Sequence, residues 1–224
     1  MAYKHVFLIA SAAVVFASSG LAGPIAVTNP SFETPGPGGL PHVCGVNCSY
    51  STDGIVPGWS ASANSGLFQP GPPATTAFFN SVPDGITVAY SNVGDITQTT
   101  AATVQLGVTY TLLVDVGVRG DNQPATGVEY LVIGGPAGTL VQATGVLGAP
   151  NCGCWTTFTA TYTGLAADVG KSIGIDLRSN GVQGDWDNVR LNASAVAGIP
   201  EPASLSLIVA GLVGLAALGR RRPA

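Results

Sequence analysis

Residues 107–118 read Gly-Val-Thr-Tyr-Thr-Leu-Leu-Val-Asp-Val-Gly-Val, and their alternation sets the fold class. Val108, Tyr110, Leu112, Val114, Val116 and Val118 fall on one parity, with Thr109, Thr111 and Asp115 on the other. A period of two sustained this long is that of a β-strand with one buried face. Working outward, further strands are expected at about 86–91, 127–133, 139–146, 155–163, 172–178 and 186–192. Glycine-rich turns such as Gly134-Gly135-Pro136 separate them. From Gly23 to Pro83 the chain is rich in Pro, Gly, Ser and Asn, and reads as a short first strand followed by long irregular loops. No core segment combines helical periodicity with capping signals. Many short strands at this spacing predict an all-β domain, a sandwich or jelly roll.

Composition agrees. The 224 residues include 31 Gly, and charged side chains make up 9% against 46% hydrophobic ones, which excludes a disordered chain. A net charge of −4 and the lack of any basic stripe exclude a nucleic-acid binder.

Both ends read as addresses. Lys4 and His5 precede an apolar run from Val6 to Phe16 and a series of small residues, the pattern of a signal peptide over 1–22. At the other end, Pro200-Glu201-Pro202 leads into an uncharged stretch from Ala203 to Gly219, capped by Arg220, Arg221 and Arg222. That stretch is at the lower limit for a transmembrane helix, and the arginines would hold its end in the cytoplasm. The expected organisation is therefore a signal peptide over 1–22, a β-sandwich domain over 23–197 and a C-terminal tail over 198–224. Four basic side chains against eleven acidic ones leave the central domain at about −7, a surface suited to divalent cations or neutral ligands.

The tail resembles the PEP-CTERM sorting signal of Gram-negative bacteria, also called the "ice-binding protein C-terminal" motif. That resemblance implies Pro200, Glu201 and Pro202 as recognition residues for an exosortase-type processing protease. It also implies transient inner-membrane anchoring and delivery to the cell surface or extracellular matrix. The core carries a second resemblance. Asn29-Pro30-Ser31-Phe32-Glu33 with Gly58-Trp59, and the closing Trp186-Asp187-Asn188-Val189-Arg190-Leu191, are similar to the opening and closing strands of galactose-binding-like jelly rolls and carbohydrate-binding modules. It implies a structural calcium held by Glu33 and Asp187.

In the last strand, Asp187 shares parity with Val189 and Leu191 and is expected to face the core, where a carboxylate must be paired or bind a metal. Hydrogen bonding to loop amides is the alternative to calcium at that position. Asp185, two residues earlier, is a further calcium candidate. Cys44, Cys48, Cys152 and Cys154 suit two disulfides in an exported chain. Cys152 and Cys154 are too close in sequence for an unstrained bridge, so each is expected to join Cys44 or Cys48, in either order. A thiolate zinc site is the alternative.

Sugars stack on exposed aromatic rings. Trp186, with the parity of Asn188 and Arg190, and Trp59 are the leading platform candidates, ahead of Phe68, Phe78, Phe79 and Tyr90. Asn80, Asn92, Asp121 and Asn122 are polar neighbours. Aromatics in a sandwich otherwise belong to its core. His42 stands alone in a Pro/Gly-rich loop, and no H-E-x-x-H, G-x-S-x-G or P-loop is present. The expectation is a non-enzymatic surface protein that binds polysaccharide through its sandwich. A purely structural surface protein, or a glycan hydrolase with an unrecognised carboxylate pair, are the alternatives.

Overall fold

The computed structural model describes residues 22–71, 78–121 and 123–195. Fourteen strands run through them: β1 (Gly23–Ile25), β2 (His42–Gly45), β3 (Cys48–Tyr50), β4 (Ile55–Val56), β5 (Trp59–Ala61), β6 (Ser65–Gln69), β7 (Val88–Ser91), β8 (Gly94–Thr103), β9 (Val108–Val118), β10 (Gly127–Ile133), β11 (Thr139–Gln142), β12 (Cys154–Thr163), β13 (Ser172–Ser179) and β14 (Gly184–Ala195). Among the described residues the only helical turn is a 3₁₀ turn at Ala166–Asp168. No described helix is long and apolar enough to cross a membrane. The apolar run Val6–Phe16, the helix expected over 203–219 and the sorting residues around them lie outside the described residues.

The strands form two stacked antiparallel sheets, an all-β sandwich. One sheet runs β12-β9-β14-β7-β6-β3-β2, with β1 also paired to β14, and the other runs β11-β10-β13-β8-β5-β4. The alternating residues of β9 behave as their pattern requires. Leu112, Val114 and Val116 meet Ile96, Leu131, Ile173, Ile175 and Leu177 of the opposite sheet in one core. Burial of this apolar area is the main stabilisation of the fold.

Two parts of the chain depart from their sequence reading. The stretch from Gly23 to Pro83, expected as one strand and loops, contributes six short strands to both sheets. Their polar, glycine-rich composition hides the period, because each is a piece of only two to five residues. β8 sits in the middle of its sheet between β5 and β13. It was not legible because only Ile96 of its inward parity is a large apolar residue.

Candidate active site

The outer face of the eight-stranded sheet carries the unusual chemistry, and a backbone irregularity in β14 puts it there. Trp186 pairs with Val116 and Leu191 with Leu112, so six residues of β14 oppose five of β9. The extra residue forms a β-bulge with Asn188 at φ 49°, which inverts the parity of the strand. Trp186, Val189 and Leu191 therefore all face the core, while Asp185 and Asp187 face outward.

This corrects the expected orientation of both residues. Trp186 is 0% exposed and donates its Nε1–H to Glu129 Oε1 at 2.6 Å between the sheets. Trp59 is also buried, 5.5 Å from the Phe32 ring, with its indole N–H given to Asn29 O at 3.3 Å. Neither offers a ring to a ligand. Strict alternation misleads here because one inserted residue exchanges the two faces.

Asp185 and Asp187 nonetheless lie buried, since side chains and a loop cover this face. A second apolar cluster of Cys48, Phe68, Phe79, Val88 and Tyr90, flanked by Tyr50, Phe78 and Trp155, packs outside the sheet. Within it opens a cup of about 240 Å³ lined by Tyr50, Phe68, Phe78, Tyr90, Arg119 and Gln183, with Cys44 and Asn92 at its edge. The Phe68 ring meets Phe78 edge-on at 5.2 Å and Tyr90 edge-on at 6.4 Å. Tyr90 is held by its hydroxyl, which donates to Ser51 O at 2.6 Å.

A chain of polar contacts runs from this cup to Asp185. Arg119 forms a two-pronged pair with Asp121, Nε to Oδ1 at 2.9 Å and Nη2 to Oδ2 at 2.5 Å. Its guanidinium lies 4.6 Å from the Phe78 ring centre. Nη1 donates to Gln183 Oε1 at 2.9 Å, and Gln183 Nε2 donates to Asp185 Oδ1 at 2.9 Å. Asp185 is 2% exposed and is the cross-strand partner of Tyr90. Burial pushes its carboxyl up to about 7, against the opposing pull of Arg119 and Gln183. At neutral pH it can therefore hold a proton and give it up, as a general acid must. Aromatic faces beside it suit positive charge developing on a bound molecule.

The calcium candidates separate. Glu33 Oε1 accepts from the amides of Ile86 at 2.9 Å and Thr87 at 2.6 Å. Asp187 Oδ2 accepts from the Asp84 amide at 2.9 Å and Oδ1 from the Asn188 amide at 2.7 Å. These two carboxylates thus grip the same loop, 84–87, while Asp185 lies behind the cup, joined to it through Gln183. Burial first, and then the carboxylates of Asp84 and Glu33, push Asp187 up to about 7. Among the described residues no group of three or more His, Cys, Asp or Glu side chains is placed to hold a metal.

The cysteines pair within each couple, Cys44 with Cys48 and Cys152 with Cys154. The expected cross-pairing is wrong because Gly153 adopts φ +60°, turning the chain so that its neighbours' Cα atoms lie 5.1 Å apart, inside the usual disulfide range. No free thiol remains for zinc. Of the expected polar neighbours, Asn80 pins the Cys152 carbonyl at 2.7 Å, Asn92 lines the cup, Asp121 pairs with Arg119, and Asn122 lies outside the described residues. His42 stacks on Tyr50 at 5.1 Å. Arg119, Gln183 and Glu129 were missed, since only tertiary pairing distinguishes them from ordinary strand and loop residues.

A buried acid beside an aromatic cup on a β-sandwich defines a small-molecule site, and comparison with known proteins gives the class. The HpiC1-like family model, described as HpiC1 cyclase, matches residues 23–192, and the chain belongs to that family. Among solved structures it is similar to the Stig cyclase Fisc from Fischerella sp. TAU in complex with (3Z)-3-(1-methyl-2-pyrrolidinylidene)-3H-indole. That match has 24% identity and a TM-score of 0.62, over 79% of this chain and 100% of that one. A cyclase from Fischerella sp. TAU bound to 4-(1H-indol-3-yl)butan-2-one matches at 23% identity and TM-score 0.59, over 77% and 98%. At this identity these structures speak for the fold. No curated protein sequence matches the chain.

Membership of a cyclase family corrects the expectation of a non-enzymatic surface protein, and with it the polysaccharide-binding and purely structural readings. The same family match corrects the partners expected from the tail and the fold, an exosortase-type protease and extracellular polysaccharide. The expected inner-membrane anchoring and cell-surface delivery are set aside with that reading on the family match; the segment 203–219 that would form the anchor lies outside the described residues.

Proposed function

We propose that this protein is a cyclase that closes a ring by protonating a bound small molecule in the cup beside Asp185. The observation that carries the reading is a carboxyl raised to about 7 directly behind an aromatic-lined cavity. The acid gives its proton to an alkene carbon, leaving a carbocation flanked by Phe68, Phe78 and Tyr90. An electron-rich carbon of the same molecule attacks it, forming the ring bond, and the surplus proton returns to the Asp185 carboxylate. The product has the mass of the substrate. Arg119, neutralised by Asp121, orients Gln183, and Gln183 holds Asp185.

The indole ligands of the two Fischerella cyclases support an indole-bearing substrate for this cup as well. The galactose-binding-like jelly roll is the sandwich this reading adopts, supported by Phe32 and Trp59 stacking in the core. Calcium bound at Glu33 and Asp187 would be structural, neutralising the carboxylates around loop 84–87, and takes no part in the proton steps.

The test is mass-neutral conversion of indole-bearing alkenes by the purified chain, followed by liquid chromatography and mass spectrometry. Asp185→Asn keeps the contact with Gln183 and cannot donate an acidic proton, so turnover should fall by about 10²-fold or more. Full activity in that variant would sink the assignment of Asp185.

A further inference from the structure

A second cavity, of about 380 Å³, lies on the outer face of the six-stranded sheet, across the sandwich from the aromatic cup. Gly174 of β13 forms part of its lining, and side chains of β8, β13, β10 and β11 surround it. One end is polar. Arg178 Nε donates to Asp95 Oδ1 at 3.1 Å and Nη2 to Asp176 Oδ2 at 2.7 Å, with the Tyr130 ring 5.4 Å from the guanidinium. The other end is apolar, made by Val132, Pro136 and Leu140.

Two features of the polar end ask for a further partner. A single guanidinium serves two carboxylates, so one negative charge is uncompensated. Asp176 is 5% exposed although it lies on the outer face, and its Oδ1 is buried without a hydrogen bond. Such an orphaned acceptor is destabilising unless something donates to it. Desolvation accordingly raises the Asp176 carboxyl, against the opposing pull of Arg178.

We propose that this cavity is a second ligand site, for an organic ammonium ion whose N–H groups meet Asp176 and Asp95 while its alkyl chain lies on Val132, Pro136 and Leu140. The ammonium supplies the missing charge and donors together. An anion meets two carboxylates here, and a flat sugar finds no aromatic ring among the lining residues.

Hexylammonium titrated calorimetrically into the whole protein tests this, with hexanol and hexanoate as chain-matched comparators. Saturable binding of hexylammonium at one site is expected, with hexanol and hexanoate far weaker. Asp176→Asn should weaken it by about tenfold or more, the loss of a charge-assisted hydrogen bond. Asp95→Asn, at a half-exposed position that tolerates the change, should weaken it by about threefold. Asp185→Asn should leave binding unchanged, which separates this site from the cup. Absence of saturable binding, equal uptake of hexanoate, or unaltered affinity in both Asp95→Asn and Asp176→Asn would each overturn the proposal.

Discussion

Replacing Glu129 by Gln should stabilise this protein at pH 8 and leave it nearly unchanged at pH 4. Glu129 is 0% exposed between the sheets, its Oε1 takes the Trp186 indole N–H, and its Oε2 is buried without a partner. Burial drives its carboxyl up from 4.5 to about 7, only partly offset by the Trp186 hydrogen bond. The folded state thus keeps a proton that the unfolded chain releases from about pH 4.5 upward. Ionisation then favours unfolding, so stability present below pH 4.5 is lost as pH rises to about 7 and stays lost above it. At 1.36 kcal/mol per pH unit, that shift amounts to about 3 kcal/mol. Gln is the neutral isostere: its Oε1 still accepts from Trp186, and its amide places two N–H donors where the protonated acid has one O–H, a small difference beside the cost of a buried charge. Urea unfolding at pH 4, 6 and 8 reads the difference directly. With a slope of about 2 kcal/mol per molar urea, the variant's midpoint should exceed the native one by about 1.5 M at pH 8 and coincide with it at pH 4. A Glu129→Gln midpoint displaced equally at all three pH values, or lowered at pH 8, would refute the argument that a buried proton at Glu129 governs this dependence.

Other expectations concern the site and the backbone. The proposed acid must be protonated to donate, so kcat/KM should fall above about pH 7 as Asp185 ionises, and a profile flat from pH 6 to 9 would contradict that role. Calcium should raise the melting temperature by several degrees through Glu33 and Asp187, and Asp187→Asn should abolish the rise; an unaltered melting curve with calcium or chelator counts against a structural ion. Gly66→Ala should cost about 3 kcal/mol or more, because the new methyl would lie 2.0 Å from the Ser51 carbonyl oxygen. Gly107→Ala meets nothing within 4 Å and should cost only about 1 kcal/mol, for its φ of +72°. Equal melting temperatures for the two variants would show that the close approach at Gly66 is not rigid.

Much of the scaffold is legible from the chain alone because buried strands must alternate. The period of 108–118, and the apolar residues of 127–133 and 172–178, announce the two inner faces of a sandwich without knowledge of their partners. Four cysteines without thiolate-zinc spacing announce disulfides for an equally local reason. What tertiary structure alone decided is which face each acid occupies and what lies beside it. The bulge at Asn188 sends Trp186 inward to Glu129 and Asp185 outward to Gln183, an exchange that no periodicity encodes. Tyr50, Phe68, Phe78 and Tyr90 come from separate strands and a loop, and form a cup only when the second cluster packs against the sheet. A carboxyl's proton affinity depends on how much water its neighbours exclude. Asp185 therefore becomes an acid suited to neutral pH only once β7, β14 and Arg119 have assembled around it.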